Sequence, residues 1–284
     1  MRQARTHIAQ IVAEFGDMQL SAVRRDLVKA WMAKLKAQGL QESYRYALHS
    51  RLSQIMAEAV DGGFLGRNPC SRKTSPPMGT QKPYCATTEQ VWAIHDAVPD
   101  HLKVAVLLGA FAGLRVAEVA ALRVKDVDFT RAVVHPKQQW PDKVLKTPGS
   151  AEPIPIPRDL ALLLSASVQR YPSEMMVTNG PGTDRCGPWI IDRAIREARE
   201  KIDGLPEGFS FHDTRHYLVS LLIASGADIK TVQARMRHAS ARTTLDTYGH
   251  LWPHADESTR TAIGAVIAQR MKSAAYPLRT GAPC

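Results

Sequence analysis

The segment FHDTRHYLVS, residues 211–220, places His212, Arg215 and His216 within five positions, ahead of an apolar run. A helical turn facing a core seldom holds three cationic or titratable side chains unless an anion accompanies them. A spacing of three sets His212 and Arg215 side by side on one face. Other positions share the oddity. Arg115 stands in GLRVAEVAAL, directly after a buried helical stretch ending at Gly113. Lys146 closes a short strand before a TPG turn, and His238 sits in ARMRHAS. Tyr248 follows in TTLDTYGHL, with Gly249 as a helix stop.

Two arginines, a lysine, two histidines and a tyrosine, without a carboxylate cluster, suit phosphoryl transfer. Guanidiniums bind the non-bridging oxygens of a phosphate through paired donors and stabilise charge at a pentacoordinate phosphorus. A phenolic oxygen can attack phosphorus and hold it covalently. A lysine or a histidine can protonate the departing alkoxide. Nothing in the chain resembles a nucleotide-binding loop or a magnesium carboxylate pair. Taken singly each residue has a plainer reading: His212 as a helix cap, Tyr248 as a packed aromatic, Arg115 as the partner of Glu118.

Positioning these groups takes an ordered scaffold. Residues 1–65 show apolar positions at three- and four-residue spacing, predicting helices broken near Asp17–Ser21 and Gly39–Glu42. Over residues 1–75 there are 12 Lys and Arg against 6 Asp and Glu. Arg24, Arg25, Lys29, Lys34, Lys36, Arg45 and Arg51 fall mostly between the apolar positions, so they are expected on exposed faces as phosphate contacts. NPCSRKTSPPMGT, residues 68–80, reads as a linker. Beyond it TTEQVWAIHDAV opens with a capping signature and HLKVAVLLGAFAG predicts a buried helix. DFTRAVVHP, DKVLKTP and EPIPIP predict three short strands, with TPGS joining the second to the third as a hairpin; helical text then resumes. The expected fold is mainly α with a small antiparallel β-sheet, in two domains. The boundaries are 1–70 for a helical DNA-binding domain, 71–84 for a linker, 85–272 for a mixed α/β catalytic domain and 273–284 for a tail.

The composition agrees with a nucleic-acid partner. The 284 residues have a formal net charge of +10, which suits nucleic acid better than a neutral metabolite. The longest apolar run, VAVLLGAFAGL, is far short of the roughly 20 residues of a spanning helix, and the amino terminus lacks a secretory signal. Cys70, Cys85, Cys186 and Cys284 lack metal-ligand spacing and predict reduced thiols in a cytoplasmic protein.

GLRVAEVAALR, LKTPGSAEPIPIP and FHDTRHYLVSLLIASGADIKTVQARMRHASARTTLDTYGHL, in this order, resemble the tyrosine recombinase family, most nearly its bacteriophage and mobile-element integrases. The resemblance runs from about residue 86 to 256, and the preceding helical segment is similar to the family's core-binding domain. The family pattern Arg, Lys, His-x-x-Arg, His, Tyr falls on Arg115, Lys146, His212, Arg215, His238 and Tyr248. The resemblance implies a site-specific recombinase in which Tyr248 attacks a DNA phosphate, giving a 3′-phosphotyrosyl link and a free 5′-hydroxyl. Arg115, Arg215 and His238 would hold the phosphate, Lys146 would protonate the 5′ oxygen, and His212 would assist proton transfer at the tyrosine. Glu118 would orient the pocket, with His216 and His250 in support. No cofactor is implied, neither ATP nor metal.

The implied partners are double-stranded DNA at attachment or core-type sites, three further copies in a tetramer on DNA, and accessory bending or directionality factors, with no membrane. The linker would let the two halves close around the duplex, in the host cytoplasm or nucleoid. Two rival functions share this pattern: a type IB topoisomerase that relaxes supercoils, and a catalytically idle DNA-binding regulator. The chain departs from the family at Arg237, where glycine is usual before the histidine, and at Glu152, where a basic residue is frequent. An arm-binding domain, present ahead of the core-binding domain in many phage integrases, is not visible, and a two-domain form is expected. The amphipathic segment ADESTRTAIGAVIAQRMK is expected to dock on a neighbouring protomer.

Overall fold

The computed structural model describes residues 2–78, 83–145, 147–181, 185–252 and 267. Lys146, Cys284, the segment expected to dock on a neighbour (apart from Ile267) and the 273–284 tail lie outside the described residues. The chain divides into two compact units, Met1–Gln81 and Lys82–Cys284.

In the first unit three helices form where the apolar spacing requires them: α1 (Arg2–Phe15), α2 (Arg25–Ala37) and α3 (Glu42–Asp61). Their apolar stripes meet in a core of Ile11, Phe15, Val28, Trp31, Leu48 and Leu52, with Phe15 and Trp31 edge to face at 5.2 Å. The first half of the segment read as linker packs on this unit. Asn68 Nδ2 donates to the Ser53 carbonyl at 2.9 Å, and buried Thr74 lies 2.8 Å from His49 Nε2.

The basic residues of this unit divide by burial. Arg24, Arg25, Lys29, Lys34 and Lys36 are exposed, and Arg25, Lys29 and Lys36 share one face of α2, at spacings of four and seven. Lys34 pairs with Glu14 at 2.8 Å. Arg45 departs from expectation. It is buried, its Nε donates to the Leu40 carbonyl at 3.1 Å and its guanidinium lies 3.7 Å from Glu42, so it stabilises the turn before α3 and presents no charge to a phosphate. Arg51 is half-buried and donates to Gln54. Arg67, absent from the expected set, lines a notch with Arg24 and Arg25.

The second unit is built on α4 (Thr88–Ala97) and α5 (Lys103–Ala112). Thr87 and Gln90 cap α4 reciprocally, as the sequence signature predicts. Eight of the ten α5 residues are buried, which a helix without a polar face demands. Gly113 ends α5 in the left-handed region at φ 69, and the short α6 (Val116–Val119) begins at once. The strands are β1 (Val127–Asp128), β2 (Val133–Val134), β3 (Gln138–Gln139), β4 (Lys143–Val144) and β5 (Ile154–Pro155). They are followed by α7 (Arg158–Arg170), α8 (Pro188–Arg199), α9 (Phe211–Ala224), α10 (Ile229–Met236) and α11 (Ala241–Tyr248).

Strand pairing corrects the sequence expectation. DFTRAVVHP folds back on itself: Asp128 accepts from the Arg131 N–H, Ala132 takes φ 54, and β1 pairs with β2. β5 then pairs with β2 and not with β4. Burial explains the choice, since Val134 and Ile154 are both inside whereas Lys143 and Val144 are exposed and pair with the polar β3. TPGS is no hairpin turn between strands; Pro148–Ala151 is a short 3₁₀ turn beside the site. Among the described residues no helix is long and apolar enough to cross a membrane.

The tightest helix contact joins α5 to α9. A Cβ on Gly109 would lie 2.3 Å from Thr214 Oγ1 and 2.6 Å from the Phe211 ring. Gly109→Ala is therefore expected to lower stability by about 1–3 kcal/mol through overpacking, read as a fall in urea midpoint. An unchanged midpoint would mean that these helices slide apart without cost.

Candidate active site

Two helix starts and three helix ends meet at the site. Gly113 releases the chain from α5, and Arg115 caps α6. Its Nη1 donates to Glu118 Oε1 at 2.8 Å, its backbone N–H to Oε2 at 3.0 Å, and Nη1 also reaches Ser150 Oγ at 3.3 Å. Asp213 secures the start of α9 by accepting from the Ser210 N–H at 2.8 Å, where a carboxylate also suits the helix dipole. The first turn of α9 then presents His212, Arg215 and His216.

Arg215 is 2% exposed. Its Nη2 donates to the Met236 carbonyl at 3.2 Å, while Nη1 is buried with no hydrogen-bond partner among the described residues. Burial, and next the charge of Arg115, push its pKa down to about 9, so at neutral pH it is a cation with a donor to spare. Such a group is costly unless an anion completes it. Arg115, Glu118, Ser150, Ser210, Phe211 and His212 line a cavity of about 480 Å³.

Tyr248, the last residue of α11, is 3% exposed and packs with Leu218, Val219, Val232 and Met236. Its hydroxyl lies 2.5 Å from His216 Nδ1. His216, rather than His212, is thus the tyrosine's partner. His212 stands edge to face with His216 at 4.8 Å. Burial, and next the charge of His212, push His216 down to about 4, so its ring is neutral and, in the Nε2–H tautomer, accepts the phenolic hydrogen. Burial raises Tyr248 to about 12, with Arg215 pulling in the opposite direction. His238 bonds Thr244 through Nδ1 at 2.9 Å and lies parallel to the tyrosine ring at 6.5 Å; burial, then Arg215, pushes it down to about 4.

Arg237 answers the question raised by its departure from glycine. The backbone keeps the left-handed turn, at φ 54 and ψ 42, a conformation that costs a side-chain-bearing residue about 1–2 kcal/mol. The guanidinium is buried and donates to Glu118 Oε2 at 2.6 Å and to the Ser150 carbonyl at 2.6 Å. Burial would push the Glu118 carboxyl up, but the Arg237 charge and the bonds from Arg115 and Arg237 hold it below its ordinary value.

The structure therefore gathers Arg115, Glu118, His212, Arg215, His216, His238 and Tyr248. It does not gather His250, which is exposed on the turn after Tyr248 and makes none of these contacts. Lys146 lies outside the described residues; its neighbour Thr147 bonds Ser150 at 2.8 Å. Sequence reasoning missed Ser150, the Arg237 ion pair, and Asp192 and Arg196 on the cavity wall. Only an arginine in place of a glycine gave any signal of these.

The profile described as the phage integrase family matches residues 86–254. The chain belongs to this family. Membership makes it a tyrosine-type, site-specific DNA recombinase. A "Tyrosine recombinase XerC-like" protein of Caldanaerobacter subterraneus is 25% identical, covering 85% of this chain and 71% of that one. The "ICEBs1 integrase" of Bacillus subtilis is 29% identical, covering 76% of this chain and 64% of that one, so the chain spans less than two thirds of the latter. The solved Tn1549 transposon integrase in complex with transposon right end DNA shares the fold at a TM-score of 0.76, with 17% identity over 94% of this chain and 93% of that one. This integrase thus has a two-domain tyrosine recombinase fold, mainly helical with small antiparallel sheets.

Proposed function

We propose that this integrase cuts and rejoins double-stranded DNA through a covalent link between Tyr248 and a 3′-phosphate, without ATP or metal. The observation that supports this reading best is the open Nη1 of Arg215, buried beside Arg115 and within electrostatic reach of Tyr248. A phosphodiester takes up the unused donors of both arginines. The Tyr248 oxygen attacks phosphorus as its proton passes to neutral His216, and the bond to the 5′ oxygen breaks. Lys146 protonates that oxygen, and His238 adds a hydrogen bond to the phosphate. Attack by a 5′-hydroxyl of the other duplex reverses the sequence, so phosphodiester energy is conserved in the linkage.

Exchange between two duplexes takes four such cleavages, one per active site, hence four protomers on DNA. The exposed Arg24, Arg25, Lys29 and Lys36 supply phosphate contacts from the first unit. The segment after Tyr248 docks on a neighbour, accessory factors set direction, and the work is done in the host cytoplasm.

A duplex nicked just beyond the scissile phosphate tests this, because loss of the short 5′-hydroxyl fragment traps the intermediate. With chelator present, one strand per chain is expected to become linked at Tyr248, mapped by mass spectrometry. At subsaturating DNA the rate reports the free enzyme. It is expected to stay level as pH falls through 6.5 and to drop only near 4, where His216 and His238 take up protons. No adduct, or one on another residue, would refute the reading.

A further inference from the structure

Arg237 belongs to none of the roles above, yet its guanidinium bonds the same carboxylate as Arg115. Its side chain is 2% exposed, behind Glu118 and the Ser150 turn, so it does not reach a phosphate itself. Arg115 is 39% exposed on the cavity wall. Among the described residues Glu118 is the one carboxylate in contact with both, and without Arg237 more of its charge would fall on Arg115. We infer that Arg237 is a positioning residue that takes up the charge of Glu118, leaving Arg115 its positive charge for the scissile phosphate.

Three features support this. The Glu118–Arg237 contact, at 2.6 Å, is shorter than the 2.8 Å Glu118–Arg115 contact. Arg237 also donates to the Ser150 carbonyl, while Arg115 reaches the Ser150 hydroxyl, so one buried cation fixes both neighbours of Arg115. Arg215 also feels the Arg237 charge, which places Arg237 inside the same field. With Arg237 present, the group of Arg115, Arg215 and Arg237 around Glu118 is more cationic than glycine at 237 would leave it. In a water-poor site that charge acts strongly on a phosphorane.

The inference rests on the Tyr248 chemistry proposed above, and the experiment separates the two. Wild type, Arg237→Gln, Arg237→Lys and the pair Glu118→Gln with Arg237→Gln are compared in single-turnover cleavage at saturating DNA. The nicked duplex carries either a normal phosphate or a methylphosphonate, which lacks one negative oxygen, at the scissile position. Arg237→Gln is expected to slow phosphodiester cleavage about tenfold to hundredfold, and methylphosphonate cleavage by no more than about threefold. Arg237→Lys is expected within about threefold of wild type, and the double variant, in which the uncompensated carboxylate is absent, is expected to cleave at least about threefold faster than Arg237→Gln. Equal losses on both substrates, or a double variant no better than Arg237→Gln, would make Arg237 purely structural and overturn the inference. If Arg237→Gln does not fold, Arg237→Met, which also removes the cation, takes its place in the same comparison; failure of both to fold also overturns it. An unaffected Arg237→Gln refutes the inference alone, whereas absence of an adduct from wild type refutes the Tyr248 reading.

Discussion

Tyr248→Phe is expected to bind its DNA and form no covalent adduct, a loss of at least about ten-thousandfold in strand cleavage. The substitution removes one oxygen. The ring stays packed against Leu218, Val219 and Met236, so the only structural loss is the hydrogen bond to His216, worth about 1 kcal/mol. Denaturing gels on the nicked duplex, beside a thermal melt and a binding titration, separate the two effects. An adduct that persists in the variant would place the nucleophile elsewhere. DNA binding lost along with the adduct would make the hydroxyl a structural group.

Arg215→Met should separate chemistry from stability in a different way. The guanidinium is buried, its nearest guanidinium neighbours repel it, and one terminal nitrogen has no partner among the described residues. Replacing a poorly compensated buried cation by an apolar side chain of similar length is often neutral or stabilising. Cleavage should nevertheless fall about a thousandfold, the scale of removing one preorganised donor or arginine from a phosphoryl transition state. Sulfate should raise the melting temperature of wild type by binding the folded state and should do so much less for the variant. A variant that melts far below wild type, with no sulfate effect in either protein, would mean that Arg215 holds the fold together and that no anion site exists.

Local text and local physics coincide in the helices. The apolar spacing of HIAQIVAEF and LVKAWMAKL, the Thr87–Gln90 cap and the glycine after GAFA each act within a few residues, so α1, α2, α4 and the end of α5 were legible before any coordinates. The strands were less so. Two-residue strands hold too little pattern to state a partner, and β5 chose β2 because Val134 and Ile154 had a core to share. Arg45 misled for a related reason: a charged residue between apolar positions is usually outside, and only the turn at Leu40 shows the carbonyl that draws this one in.

The candidate reacting groups, by contrast, were named from the chain, because their types suit phosphoryl transfer and their order resembles the family pattern at Arg115, Lys146, His212, Arg215, His238 and Tyr248. Types and order are properties of the sequence. Which histidine faces the tyrosine is not. The family pattern put His212 at the tyrosine, but His216 lies four residues on along the same helix face, and the packing of Tyr248 on Leu218 and Val219 of α9 gives the phenol to His216. Arg237 is the sharper case. Its strand of text says only that a glycine is missing from a left-handed turn, while its partner Glu118 lies 119 residues away. A buried charge is fixed by what surrounds it in three dimensions, and no local pattern can specify a counter-ion that distant.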